Sequence, residues 1–435
     1  MSTVADPGKI IEDSPMSRFQ ILAVAVCIFL YALDGFDVLA ISFAAPGIAS
    51  EWGVERGALG IVLSMELFGM ALGSVFVGRI ADDLGRRPTS LACLVIMAIG
   101  MALAALAKGI EMLSAFRFIT GIGIGGMLAI TTAMVAEYSN ARYRYLCVTL
   151  MGAGYPMGAV LGGSVASVLL QHYEWRAVFV FGSVVTALSI SLAWFFLPES
   201  LAFLCRKRPA NALQKINKTL QRMGFKVLEA LPELKLQGEV KTGFAELLSS
   251  RFIQITPLLC VAYFFHIMTF YFILKWIPKI VVDMGYSPSS AGGVLVWANV
   301  GGVVGAIFLG VLTQKIRLKT LVVCSMFLAA VLVWVFGSGQ PDIATLSTVA
   351  AVAGFFTTSA VIGMYSIFTQ YFPPEIRAGG VGFVIGVGRG GSALGPVIAG
   401  FLFQMGMSLS FVAVCMAFGS VIAAIAIMSL PKTAT

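Results

Sequence analysis

The chain is poor in charge and nearly without histidine. Asp, Glu, Lys and Arg make up 11% of its 435 residues, and there are two histidines. Seven cysteines (Cys27, Cys93, Cys147, Cys205, Cys260, Cys324 and Cys415) show no C-x-x-C spacing. Most fall inside apolar runs and read as small hydrophobes, so neither a metal site nor a disulfide framework is expected. No glycine-rich phosphate loop follows a strand, and no nucleophile is paired with a base. An enzyme is therefore not expected, nor is a cofactor. Asn and Gln are rare in and beside the apolar runs (Asn299, Gln370 and Gln404 among them), a poor provision for a neutral sugar. Met1–Ser17 lacks the basic stretch of a cleaved leader and reads as a cytoplasmic tail.

What fills the chain is apolar sequence. Hydrophobic residues make up 59%, and the mean hydropathy is +0.93. A single soluble core stops growing well short of this. Runs of about 20 residues recur, each long enough to cross a bilayer as a helix. They lack the two-residue alternation of a barrel strand. The pattern predicts an all-α polytopic membrane protein with twelve transmembrane helices near 19–46, 56–80, 88–107, 112–138, 145–170, 176–197, 252–284, 289–314, 318–338, 342–371, 378–403 and 408–430. The polar stretch 198–251 divides the chain six plus six. This predicts a tail (1–18), a first six-helix bundle (19–197), a central loop (198–251), a second bundle (252–430) and a short end (431–435). Residues 210–224 in the loop read as a surface amphipathic helix or, by preference, a solvated connector.

The net charge of +8 is an orientation signal rather than a nucleic-acid footprint. Arg79, Arg86 and Arg87, then Arg142 and Arg144, the central loop, Lys315, Arg317 and Lys319, and Arg377 all occupy even-to-odd connections. Positive-inside places these loops and both termini in the cytoplasm.

Two carboxylates, Asp34 and Asp37, interrupt the first run at i and i+3 and share one helical side. Facing lipid, each would cost roughly 2.5–3.5 kcal/mol. They are expected to face protein or water and to carry a proton. Glu66 and Arg117 are further intramembrane charges, read as coupling residues, with helix packing and snorkelling as the respective alternatives. Arg389 lies mid-span among glycines; its planar fork suits a carboxylate, although Asp34 or Asp37 could also pair with it. Phe36, Tyr155, His266, Tyr271, Trp297 and Tyr365 are the aromatic candidates for contacting a ring-shaped substrate. Lys275 is expected near the periplasmic end, where it would attract anions.

The halves repeat each other. Gly78-Arg-Ile-Ala-Asp82-Asp83-Leu-Gly85-Arg86-Arg87 follows the second run, and Gly310 to Lys319 follows the eighth in the same register. Such duplicated halves mark a rocking transporter with its site between them. Gly78–Arg87 resembles the G-x-x-x-D-R-x-G-R-R signature of the major facilitator superfamily, with Asp83 in place of the usual Arg. Arg117 with Gly121, Gly123, Gly125 and Gly126, the segment Glu137–Arg142, and Pro198-Glu199-Ser200 are also similar to that superfamily. Asp34-Gly-Phe-Asp37, with Gly388-Arg389-Gly-Gly-Ser-Ala-Leu-Gly395-Pro396, resembles the aromatic acid:proton symporter family. The resemblance implies the two-bundle major facilitator fold and import of a small carboxylate, most simply an aromatic acid, by a monomer in the bilayer. It also implies a conformational latch from Gly78, Asp82, Gly85, Arg86, Arg87, Glu137, Arg142 and Arg377, with Asp82 pairing with Arg86 or Arg142. Carriers of other organic acids, sugars or exported drugs, and a non-transporting sensor, are the alternatives.

Overall fold

The computed structural model describes residues 6–232, 252–372 and 376–431, apart from the side chains of Tyr145, Arg377 and Ala378. The described residues form fifteen helices and no strand. Twelve are long and apolar enough to cross a membrane. They are α2 (Arg18–Trp52), α3 (Arg56–Leu84), α4 (Arg86–Ala105), α5 (Ile110–Tyr138), α6 (Arg144–His172) and α7 (Arg176–Phe196), then α10 (Ile255–Asp283), α11 (Pro288–Leu312), α12 (Leu318–Gly337), α13 (Ile343–Tyr371), α14 (Arg377–Gln404) and α15 (Leu409–Met428). They coincide with the twelve expected runs. The largest difference is at Pro46, expected to close the first span. The helix continues through it to Trp52 and ends at Gly53, whose φ of 59° is left-handed.

Local chemistry sets the helix starts. Ser17 and Gln20 form a reciprocal capping box at α2. Ser287 with Pro288, Asp342 and Ser408 open α11, α13 and α15.

The packing repeats between halves. In the first, α2 packs on α6, α3 on α5 and α4 on α7; in the second, α10 packs on α14, α11 on α13 and α12 on α15. The α3–α5 crossing runs through Gly69, Gly73, Gly121 and Gly125, where an added Cβ would strike the partner's backbone; Gly301, Gly305 and Gly354 serve the α11–α13 crossing. Small residues let backbones touch where hydrophobicity cannot drive association.

The halves meet through α3–α14, α6–α11 and α2–α10. At the end away from the chain termini, Arg56 pairs with Asp283 at 3.1 Å, Gln404 bonds Glu55 and Gln171 bonds Ser289 at 3.2 Å. At the terminal end, Cβ atoms added to Gly310, Gly379, Gly382 or Gly386 would enter open space. Among the described residues, these polar contacts between the halves gather at the end away from the termini.

Three short helices cover the terminal end of the first half. In α1 (Pro7–Asp13), Ile11 is buried, while Glu12 pairs with Arg144 at 3.2 Å. α8 (Leu201–Lys207) and α9 (Ala212–Met223) follow α7. The preference for a solvated connector at 210–224 is corrected. Ile216, Leu220 and Met223 line one side of α9 and are buried, as the i, i+4, i+7 spacing allows. The rest of the central loop (233–251) and residues 432–435 lie outside the described residues.

Candidate functional site

A charge cluster is buried at mid-depth where α2, α3, α5 and α10 converge. Asp34, Asp37, Glu66, Arg117 and Lys275 are each 0–1% exposed. Arg117 forms an ion pair with Glu66. Its guanidinium also donates to the Asp37 main-chain carbonyl at 2.7 Å and to Met101 Sδ at 2.8 Å, above the Phe179 ring. Thr186 lies 3.4 Å from Asp37 Oδ2. Both Asp34 oxygens and Asp37 Oδ1 are buried without a hydrogen-bond partner among the described residues. Snorkelling by Arg117 is excluded by its burial. Lys275 is corrected as well: it is fully enclosed, donating to the Val38 carbonyl, with Nζ 3.5 Å from Glu66 Oε2.

Three carboxylates thus share two cations. Buried charge is tolerated only when paired and hydrogen-bonded. One proton would bring the five groups to neutrality, and the unpartnered Asp34 and Asp37 oxygens have room for it.

A tyrosine cage adjoins this cluster. The tilted rings of Tyr31 and Tyr155 meet with centroids 5.7 Å apart. The Tyr155 and Tyr271 hydroxyls lie 3.5 Å apart across the halves. Tyr263 and Tyr365 share a 2.9 Å hydrogen bond. Arg389 of α14 is half-buried and close enough to Tyr31, Tyr263 and Tyr271 to act on them electrostatically. It forms no ion pair among the described residues, so neither Asp34 nor Asp37 is its partner. A permanent cation at mid-depth, near tyrosines of both halves, suits an anion.

Three aromatic candidates lie elsewhere. Phe36 is 3% exposed, edge-on to Phe181 at 5.3 Å and filling the space over Gly162. It packs the first half. His266 is fully buried, with Nδ1 2.9 Å from Ser420 Oγ and Nε2 3.0 Å from the Thr357 carbonyl. Both nitrogens are occupied tying α10 to α15 and α13. Trp297 is 54% exposed, in line with Val304, Phe308 and Val311, each at least half exposed. This outward apolar stripe is what a lipid-facing surface carries. Tyr31 and Tyr263 were missed. Tyr31 stands three residues before Asp34, so helical spacing alone places it on the acids' side. Lys275 follows Tyr271 by four residues on the same logic.

The latch residues form a network inside the first half. Arg86 pairs with Glu137 at 2.6 Å, and Glu137 accepts from Ser200 Oγ and Ala202 N. Glu199 accepts from the Arg86 and Arg87 amides at 2.8 and 3.2 Å. It caps α4, whose N-cap Gly85 has no side chain to do so. Gly85 is needed twice over: its φ is 108°, and a Cβ would come within 2.6 Å of Glu199 Oε2. The Arg87 side chain donates to the Trp194 carbonyl. The expected partners of Asp82 are corrected: it pairs with Arg206 at 3.4 Å, because α8 brings that guanidinium to the end of α3. Arg142 stacks on Tyr143. At Gly78 a Cβ would meet only Ala129, at 3.9 Å. The side chain of Arg377 lies outside the described residues.

Comparison with known proteins agrees with this architecture. The sequence model of the Major Facilitator Superfamily matches residues 27–296 and again 259–435. The chain is 31% identical to the 4-hydroxybenzoate transporter PcaK of Acinetobacter baylyi, over 97% of this chain and 93% of that protein. It is 29% identical to the gallate transporter of Pseudomonas putida, over 96% and 93% respectively. Among solved structures, the xylose transporter XylE from E. coli, in a partially occluded inward-open conformation, superimposes with a TM-score of 0.74 at 15% identity, over 96% of this chain and 99% of that one.

Proposed function

The chain belongs to the major facilitator superfamily, and from that membership we propose that it imports an aromatic carboxylate together with a proton by alternating access. It is a multi-pass membrane transporter and not an enzyme. The observation that carries the substrate reading is Arg389: a mid-depth guanidinium without an ionic partner among the described residues, beside the tyrosine cage. A benzoate-type carboxylate would take the guanidinium fork. Its ring would lie among Tyr31, Tyr155, Tyr263, Tyr271 and Tyr365, where each edge or stacking contact is worth about 0.5–1.5 kcal/mol. Related chains named as transporters of 4-hydroxybenzoate, gallate and benzoate support the same class.

Charge balance supports coupling. Substrate neutralises Arg389, and one proton neutralises the Asp34, Asp37 and Glu66 set against Arg117 and Lys275. The loaded carrier then rocks with neither site bearing net charge. In the orientation we adopt, both termini are cytoplasmic in a bacterial inner membrane. The Arg56–Asp283 end is then the periplasmic gate, closed in this structure. A monomer contains the whole site.

Uptake into proteoliposomes tests this reading. An imposed inward proton gradient should accumulate 4-hydroxybenzoate, gallate or benzoate, and a neutral sugar should not accumulate. Failure of every aromatic acid to accumulate would remove the proposal.

A further inference from the structure

The reading above uses Lys275 only as a fixed counter-charge. Lys275 belongs to the second half, yet its ammonium is sunk into the first, on the Val38 carbonyl and Glu66 Oε2. The charged groups around it come from named elements. α2 contributes Asp34 and Asp37, α3 Glu66 and α5 Arg117. Of the helices packed on α10 in its own half, α11, α13 and α15 carry no charged residue, and α14 carries Arg377 and Arg389.

We propose that Lys275 is the proton's stand-in: its ammonium enters the carboxylate cluster when the periplasmic gate closes and displaces the transported proton toward the cytoplasm. This rests on the reading of the chain as a proton-coupled importer facing inward.

The argument is one of charge against conformation. In the gate-closed state, Asp34, Asp37 and Glu66 face two cations, Arg117 and Lys275. Arg117 lies on α5 of the same half as the acids and travels with them. Lys275 lies on α10 and travels with the other half. When the halves part at the Arg56–Asp283 end, Lys275 is drawn from Glu66 and Val38. Three carboxylates are then left with one guanidinium. A proton from the periplasm fills the gap, bonding to a carboxylate oxygen of the cluster. When the gate closes again, the returning ammonium competes for that carboxylate. The O–H bond breaks, the proton passes to cavity water, and the ammonium takes its place. Closure of one gate thereby prepares release at the other: the cluster is neutral as the ammonium arrives and gives up its proton as the cytoplasmic end opens. An ammonium suits this task because, as a compact charge on a flexible stem, it can enter and leave.

The test reads protons directly and needs no substrate. In the purified full-length protein, infrared spectroscopy counts protonated carboxyls at neutral pH. Lys275→Met should carry about one more protonated carboxyl per molecule than wild type, since a proton must replace the missing ammonium. Lys275→Met combined with Glu66→Gln should lose it. A spectrum identical to wild type overturns the proposal. A second measurement keeps Lys275 in place and so does not depend on the variant folding. Cross-linking Val54→Cys to Met405→Cys, in a background without native cysteines, closes the periplasmic end. A dye should report release of about one proton per molecule on closure; no release overturns the proposal. In proteoliposomes, Lys275→Met should lose gradient-driven accumulation of 4-hydroxybenzoate by about ten-fold or more, while exchange of the same acid falls by less than about three-fold. Lys275→Arg should keep both. Equal loss of both in Lys275→Met would assign Lys275 a merely structural role. If wild type moves no aromatic acid but the extra carboxyl and the released proton are present, the substrate assignment falls and the role of Lys275 stands.

Discussion

The hydroxyls of Tyr155 and Tyr271 face each other at 3.5 Å across the interface between the halves. That is at the outer limit of a hydrogen bond, so each is free to take a better partner. A ring hydroxyl on the substrate would be one. Tyr155→Phe and Tyr271→Phe should each weaken 4-hydroxybenzoate binding by about 1 kcal/mol, roughly five-fold, the net worth of one hydrogen bond. Benzoate, which has no hydroxyl to offer, should bind both variants nearly as well as wild type. Titration calorimetry with the two acids checks this, and equal losses for both would move the contact elsewhere.

Arg389 makes a stronger demand. A bidentate pair between guanidinium and carboxylate should be worth about 3 kcal/mol or more, from two hydrogen bonds to charged groups. Arg389→Ala should therefore weaken aromatic acid binding by about a hundred-fold. Arg389→Lys should recover part of it, keeping the charge but losing the fork. Thermal melting is the measurement. At a hundred times its dissociation constant, a ligand stabilises the wild type by about 2.7 kcal/mol. At the same concentration, the Ala variant should gain almost nothing.

The spans were readable because twenty apolar residues have one stable outcome in a bilayer. The duplicated register from Gly78 and from Gly310 showed the two halves. Arg389 and the tyrosines at 155, 271 and 365 could be singled out because a mid-span guanidinium or hydroxyl has few reasons to be there. Phe36, His266 and Trp297 went astray for a different reason. A helix that is apolar all round carries little rotational phase, so nothing in the sequence said that Trp297 turns outward or that Phe36 packs over Gly162. The same blindness misplaced Lys275. Its depth in the chain could be counted, but its neighbour Glu66 is 209 residues away. Asp82 was misassigned because the guanidinium that meets it, Arg206, belongs to α8 in what read as loop.

The closed end can be wedged. Gly60 of α3 and Gly400 of α14 face each other there. A Cβ on Gly60 would lie 2.6 Å from the Pro396 carbonyl, and one on Gly400 2.6 Å from the Arg56 carbonyl. Both obstacles are backbone and cannot rotate away. Gly60→Val should therefore force α3 and α14 apart and favour opening at the Arg56–Asp283 end. Spin labels on Val54→Cys and Met405→Cys, in a background without native cysteines, should move apart relative to the unwedged protein. An unchanged distance would mean that the halves absorb the methyls by sliding.

Arg86 and Glu137 give the opposite expectation. The pair is mostly buried, with side chains 21% and 13% exposed, and its partners Ser200, Ala202 and Glu199 all belong to the first half or to α8 behind it. Arg86→Ala should cost about 1–3 kcal/mol of stability, the range for stranding a buried polar partner. Because the two residues touch, Arg86→Ala with Glu137→Gln should cost less than the sum of the single changes. The Val54–Met405 label distance should not move in any of these variants. A latch between the halves would shift it; a brace within one half lowers the melting temperature and leaves the gate where it was.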